Sequence, residues 1–153
     1  MRNPLSLLGN VVSYIKKFIQ RGLHGISEED MWNLDYYVSS VMIEGLRYLK
    51  ENNRGYPAEV IDSDTNQIND ADDKRYNRKW IKILEELEWT FDIAKQITHG
   101  DVEYVKIEHY EEMAPKMIEL TKKHGGRVLS MLEIRRFNKG FRLFKKYFFS
   151  LWD

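Results

Sequence analysis

Apolar side chains recur along this chain at spacings of three and four residues, the period of an α-helix with one buried face. Asn3-Pro4 is a helix start, because proline is tolerated at the first helical position. Leu5, Leu8, Val12, Ile15 and Ile19 then predict a helix to about Gln20, with Gly22 and Gly25 as the break. Ser27 followed by Glu28, Glu29 and Asp30 is the pattern of a helix N-terminus, where acids complement the helix dipole. Met31, Leu34, Val38, Val41, Gly45 and Leu49 supply the stripe of a second helix ending near Asn52.

Periodicity vanishes from Asn53 to Asp73, a polar segment expected to be a mobile loop. It returns from about Lys74 to Thr98, where Trp80, Leu84, Leu87, Phe91 and Ala94 mark a third helix. Val102 to Ile107 is rich in β-branched and aromatic residues, but no partner strand is evident, so irregular or helical structure is expected there. Residues 108–124 read as a fourth helix, with Pro115 as a kink or delayed start. Gly125-Gly126 stops it, and a last helix is predicted over 127–152, roughly 39 Å at 1.5 Å per residue. Phe137, Phe141, Phe144, Phe148 and Trp152 form its aromatic seam. Arg135, Lys139, Arg142 and Lys146 repeat with the same period about half a turn away. The expectation is an all-α, single compact domain spanning 1–153, a bundle of about five helices with the aromatic seam buried against the other stripes.

Composition narrows the chemistry. The 153 residues are 42% apolar, enough for a packed core. The 24 basic and 24 acidic residues cancel, so net charge predicts no general affinity for nucleic acid or membrane. The balance is uneven along the chain: residues 1–27 hold Arg2, Lys16, Lys17 and Arg21 and no acid, whereas residues 59–73 hold six acids and no Lys or Arg. The absence of cysteine excludes disulfides, thiolate catalysis and Cys-based zinc sites. The uncharged run 3–15 is shorter than the roughly twenty residues a bilayer requires. Lys16 and Lys17 stand where a signal peptide would have its small-residue cleavage site. A soluble, non-secreted protein without membrane contact is expected.

Three patterns invite chemistry. Asp62, Asp64, Asn66, Asp70 and Asp73 fall at positions one, three, five, nine and twelve of a calcium loop. Gln67 occupies the glycine position of that loop, and Asp73 replaces its long terminal Glu, so a solvated loop is the expected state and no cofactor is assigned. Glu85, Glu86, Glu88 and Asp92, with Glu108, Glu111 and Glu112, approach the two-helix acid arrangement that holds magnesium in all-α nucleotide pyrophosphatases. The first motif is one residue short and the second lacks its Asp. Arg135, Lys139, Arg142 and Lys146 could meet nucleic-acid phosphates, although aromatics on the opposite face cannot stack on bases. The four histidines show no metal-binding spacing, and no phosphate-cradling glycine loop or nucleophile elbow is present.

The ending Gly140-Phe141-x-Leu143-Phe144-x-Lys146-Tyr147-Phe148-x-x-Leu151-Trp152-Asp153 resembles the C-terminus of a group of small uncharacterised proteins of tailed bacteriophages. Gly25-Ile-Ser-Glu-Glu-Asp30-x-Trp32-x-Leu34-Asp35, Gly55-Tyr56-Pro57 and Trp80-x-x-Ile83-Leu84 fit in the same order. The acidic stretch 62–73 is longer than the group's corresponding connection. The resemblance implies a phage or prophage origin, in the host cytoplasm or the virion, and transfers no catalytic residue. The leading expectation is a non-enzymatic accessory protein that binds an unidentified protein in host takeover, counter-defence or particle assembly. A nucleic-acid-associated protein and a metal-dependent pyrophosphatase-like enzyme are the alternatives.

Overall fold

Six α-helices account for most of the chain in the computed structural model, which describes residues 4–61 and 70–151. They are α1 (Pro4–His24), α2 (Glu28–Trp32), α3 (Leu34–Glu51), α4 (Asp70–His99), α5 (Tyr110–Lys122) and α6 (Met131–Tyr147). The all-α expectation holds.

The 30-residue α4 is the axis of the domain. Its apolar positions are close enough in sequence to cover more than one face, so it buries Tyr76, Trp80, Ile83, Leu84, Leu87, Phe91 and Ile93. Ile43 and Leu46 of α3, Val60, and Tyr147 and Leu151 at the C-terminal end pack on its first two thirds. Ile93, near the end of α4, enters a second cluster with Val102, Leu129 and Ile134. Fully burying a side chain such as Leu46, Leu84 or Leu87 contributes about 1.5–3 kcal/mol. Polar ties add to the α3–α4 contact. Glu88 accepts from Arg47 at 2.7 Å and pairs with Lys50 at 2.5 Å. Burial alone would raise its pKa, but the two cations hold it below the usual value.

Several boundaries differ from the periodicity. α1 continues through Gly22 and stops at Gly25, whose φ of 73° is the left-handed conformation that ends helices. The predicted second helix is two helices, divided at Asn33 (φ −131°, ψ 52°). α4 starts at Asp70, with Asp70, Asp72 and Asp73 in its first turn; residues 62–69 lie outside the described part of the chain. Val102 does find a partner: β1 (Val102–Glu103) pairs in parallel with β2 (Arg127–Val128) across α5. Two residues per strand leave no alternating pattern in the sequence, which is why the pairing was not expected. The last helix starts later than predicted, at Met131. Ser130 caps it: the Ser130 N–H and hydroxyl both donate to Glu133 at 2.8 Å, and the Glu133 N–H returns to the hydroxyl.

The aromatic seam is only partly interior. α6 buries Ile134, Gly140 and Tyr147 completely, and Tyr147 meets Trp80 edge-on. Phe144 packs edge-on against Phe91 at 5.0 Å between centroids, half-buried. Phe141 and Phe148 are 39% and 37% exposed, because α4 covers only part of the arc they occupy. Trp152 lies outside the described residues. Expected burial also fails in α1, α2 and α3, where Val12, Ile15, Ile19, Met31, Leu34, Val38 and Val41 are exposed.

α6 crosses α4 at Gly140. A Cβ built there would lie 1.8 Å from Thr90 Oγ1 and 2.8 Å from Thr90 Cβ. Thr90 cannot simply swing aside, since its hydroxyl donates to the Glu86 carbonyl at 2.7 Å. Gly140→Ala should therefore lower stability by about 1–3 kcal/mol, the usual cost of overpacking. Adding Thr90→Ala should recover part of the loss in a double-mutant cycle read by thermal or urea unfolding. An unchanged melting temperature for Gly140→Ala would contradict the close crossing.

Candidate binding surfaces

The N-terminal helix is attached to the body by its polar side. Arg21 makes a two-pronged pair with Asp30, Nε to Oδ2 at 2.8 Å and Nη2 to Oδ1 at 2.5 Å. Lys16 meets Glu28 at 2.6 Å, and Lys17 pairs with Glu29. The basic N-terminal segment and the acids that open α2 thus neutralise each other. Asp30 is the pivot. It is buried, and the Ser27 N–H and hydroxyl donate to it at 2.9 and 2.8 Å. The Arg21 hydrogen bonds, with help from Ser27 and against the effect of burial, hold its carboxyl well below the usual carboxylate range. A depressed folded-state pKa means that the stabilisation is complete above the unfolded value of about 4 and is lost only as pH falls through the lower folded value. The anchor is therefore intact at neutral pH. Tyr37 reinforces it, donating its hydroxyl to the Gly25 carbonyl at 2.6 Å.

With the polar side of α1 held inward, its apolar side faces solvent. Val11, Val12, Tyr14, Ile15, Phe18, Ile19 and Leu23 are all more than half exposed, Phe18 reaching 79%. The surface continues along the chain. Met31 and Trp32 of α2 are exposed, Trp32 to 88%, and so are Leu34, Val38, Val41 and Tyr48 of α3. α3 is apolar on two sides. Ile43 and Leu46 point into the core, and the outward set has no cover. Scattered exposed apolar residues are ordinary, but a monomer rarely exposes a contiguous patch beyond about 300–600 Å². Tyr14 and Phe18 are exposed on α1 and Tyr48 on α3, whereas Trp32 stands beside Lys16, Lys17 and Gln20 on the polar side of α1.

The predicted basic stripe is a second surface. Arg135, Lys139 and Arg142 line an open groove between α6 and α4, together with Arg136 and with Lys82, Glu85 and Glu86 of α4. Lys146 is not part of its lining and instead lies 4.8 Å above the Tyr147 ring. Arg136 is already engaged, bidentate to Glu86 at 2.8 and 2.9 Å and stacked 4.0 Å over Trp89. The groove runs into a neighbouring depression lined by Lys74, Arg78 and Lys82, spaced one turn apart on α4. These α4 cations were legible in the sequence as an i, i+4 row, but only the fold brings Lys82 beside Arg135, Lys139 and Arg142.

The acidic residues are dispersed. Glu86 is held by Arg136, Glu88 by Arg47 and Lys50, and Asp92 accepts from Gln96 at 2.6 Å. Asp62, Asp64 and Asn66 lie outside the described residues. Asp70 and Asp73 stand in the first turn of α4, where Asp73 accepts from the Tyr56 hydroxyl at 2.9 Å. Among the described residues no group of three His, Asp or Glu side chains could hold a metal ion. The His99–Asp101 pair, 3.0 Å apart, is exposed on both sides. Among the described residues no helix is long and apolar enough to cross a membrane.

No protein-family model, curated protein or solved structure matches the chain.

Proposed function

We propose that this chain is a non-enzymatic binding protein that engages another protein through the apolar surface of α1, α2 and α3. The observation that carries the reading is the orientation of α1. Its charged side is neutralised by its own neighbours, and its apolar side, including Phe18 at 79% exposure, is left to solvent. A helix presenting an apolar face of this kind fits the helix-in-groove or helix-on-helix mode of recognition. The paired and dispersed carboxylates favour this reading over a metal-dependent enzyme. The likeness of the C-terminal motif to tailed-bacteriophage proteins supports a setting in host takeover, counter-defence or particle assembly, in the host cytoplasm or the virion.

The direct test is affinity capture of tagged chain from phage-infected cells, comparing wild type with Phe18→Glu. Both are expected to keep the same helical content, because Phe18 is not in the core. A specific partner retained by wild type and lost with Phe18→Glu is the expected result. A partner retained equally by both would remove α1 from the binding surface.

The α4–α6 groove supports a second reading, contact with a nucleic-acid backbone. Lys82, Arg135, Lys139 and Arg142 have no ion pair among the described residues and converge on one open groove. Such contacts carry little base information. Binding to duplex DNA should fall roughly tenfold or more between about 50 and 200 mM salt, and Lys139→Glu with Arg142→Glu should abolish it. Salt-insensitive binding that survives the double reversal would contradict this second reading.

A further inference from the structure

We infer that the partner covering α1 and α3 is a second copy of this chain, with the α1 of each copy lying on the α3 of the other. This rests on reading the N-terminal surface as a protein-binding one, and it identifies the occupant.

Both helices carry the same unsatisfied pattern. On α1, Val11, Ile15, Phe18 and Gly22 follow spacings of four, three and four. On α3, Leu34, Val38, Val41, Gly45 and Tyr48 follow four, three, four and three. Alternating threes and fours make the narrow seam of a coiled-coil contact, which exists to meet another helix. Each seam includes a glycine, Gly22 in the last turn of α1 and Gly45 in the middle of α3, where glycine weakens the helix. Neither glycine is needed for packing within the chain, since no atom lies within 4 Å of where a Cβ would stand on Gly22 or Gly45. A helix from outside, approaching closely at those points, gives both glycines a use.

The chain therefore holds two matching seams but cannot close one on the other. α1 is fixed by its polar side through Lys16–Glu28, Lys17–Glu29 and Arg21–Asp30, so its seam faces away from its own body. A second copy offers the missing α3. In a two-fold pair the same contact occurs twice and the assembly closes. The area suffices. The exposed aromatics Tyr14, Phe18 and Tyr48 come to roughly 300–600 Å². With the aliphatic residues between them, the surface reaches the about 800 Å² per partner that stable interfaces cover. A lipid surface fits less well, because the cations flanking the α1 seam are already occupied by Glu28, Glu29 and Asp30.

Light scattering coupled to size exclusion, from about 1 to about 100 µM, should give twice the 18.4 kDa chain mass. Phe18→Glu and Val41→Glu, made separately, should each raise the dissociation constant about thirty-fold or more, the effect of losing an interface hot spot, while leaving helical content unchanged. The chain has no cysteine, so single cysteines report geometry directly. Ile15→Cys on one chain mixed with Val38→Cys on another should cross-link, and cross-linking of Ile15→Cys only to itself would overturn the α1-on-α3 arrangement. A monomer at 100 µM, or a dimer indifferent to both glutamates, would overturn the second copy as occupant. If that monomer still captures a cellular protein in a Phe18-dependent way, the protein-binding reading stands and only the self-association fails. If the monomer instead binds neutral phosphatidylcholine vesicles, both fail.

Discussion

The absence of a side chain at Gly140 is the constraint on which the rest of this fold depends. It lets α6 rest directly against Thr90 of α4, a contact that any Cβ would forbid. Because the helices meet there, Phe144 reaches Phe91 and Tyr147 reaches Trp80 on one side of the crossing. On the other side Arg136 can lie over Trp89 and grip Glu86 with both nitrogens. Exposed ion pairs contribute little by themselves, with a median of about 0–1 kcal/mol. The same crossing lays Arg135, Lys139 and Arg142 along one groove with Lys82.

The core built on that crossing is complete without the N-terminal helix. α4 takes Ile43 and Leu46 from one side of α3, Val60 from the connection after it, and the α6 residues from the other direction. Nothing in the described core uses Val11, Phe18, Leu23, Leu34, Val38 or Val41. Exposing such side chains gives up stabilisation of about 25 cal/mol per Å². The 21-residue α1 is joined to the body by ion pairs and hydrogen bonds, whereas most helical stability in proteins comes from packing an apolar face. A covered α1 accounts for both facts with one contact, in which the apolar face is buried by a partner and the polar face remains on α2.

The sequence made the long elements legible because α4 and α6 have strong, uninterrupted 3.6-residue periods. Direction was harder to read. α3 carries two apolar arcs, and the more regular one, Leu34-Val38-Val41-Gly45, points to solvent, while the core takes Ile43 and Leu46 with Ser39 beside them. Periodicity identifies faces and does not say which one the rest of the chain will cover. β1 and β2 are too short to show any period. Two local signals set helix starts, and the predicted start of the last helix at 127 overlooks the one at Ser130. Ser130-x-x-Glu133 is a capping box that fixes the start of α6, and Ser27-x-x-Asp30 does the same work for α2 while also receiving Arg21. Of the predicted basic residues, Arg135, Lys139 and Arg142 meet in one groove, and Lys146 leaves it for the Tyr147 ring. The Lys74–Arg78–Lys82 row gains meaning only once α6 is laid across α4.

Amide hydrogen exchange across residues 11–23, followed as a function of protein concentration, tests the central claim that this helix is an interface element. If α1 is covered by a helix of another copy, its amides should gain protection as concentration rises from about 1 to about 100 µM. Residues 34–48 should gain protection over the same range, with α4 unchanged. Fast exchange of residues 11–23 at every concentration, with no change in 34–48, would contradict the account.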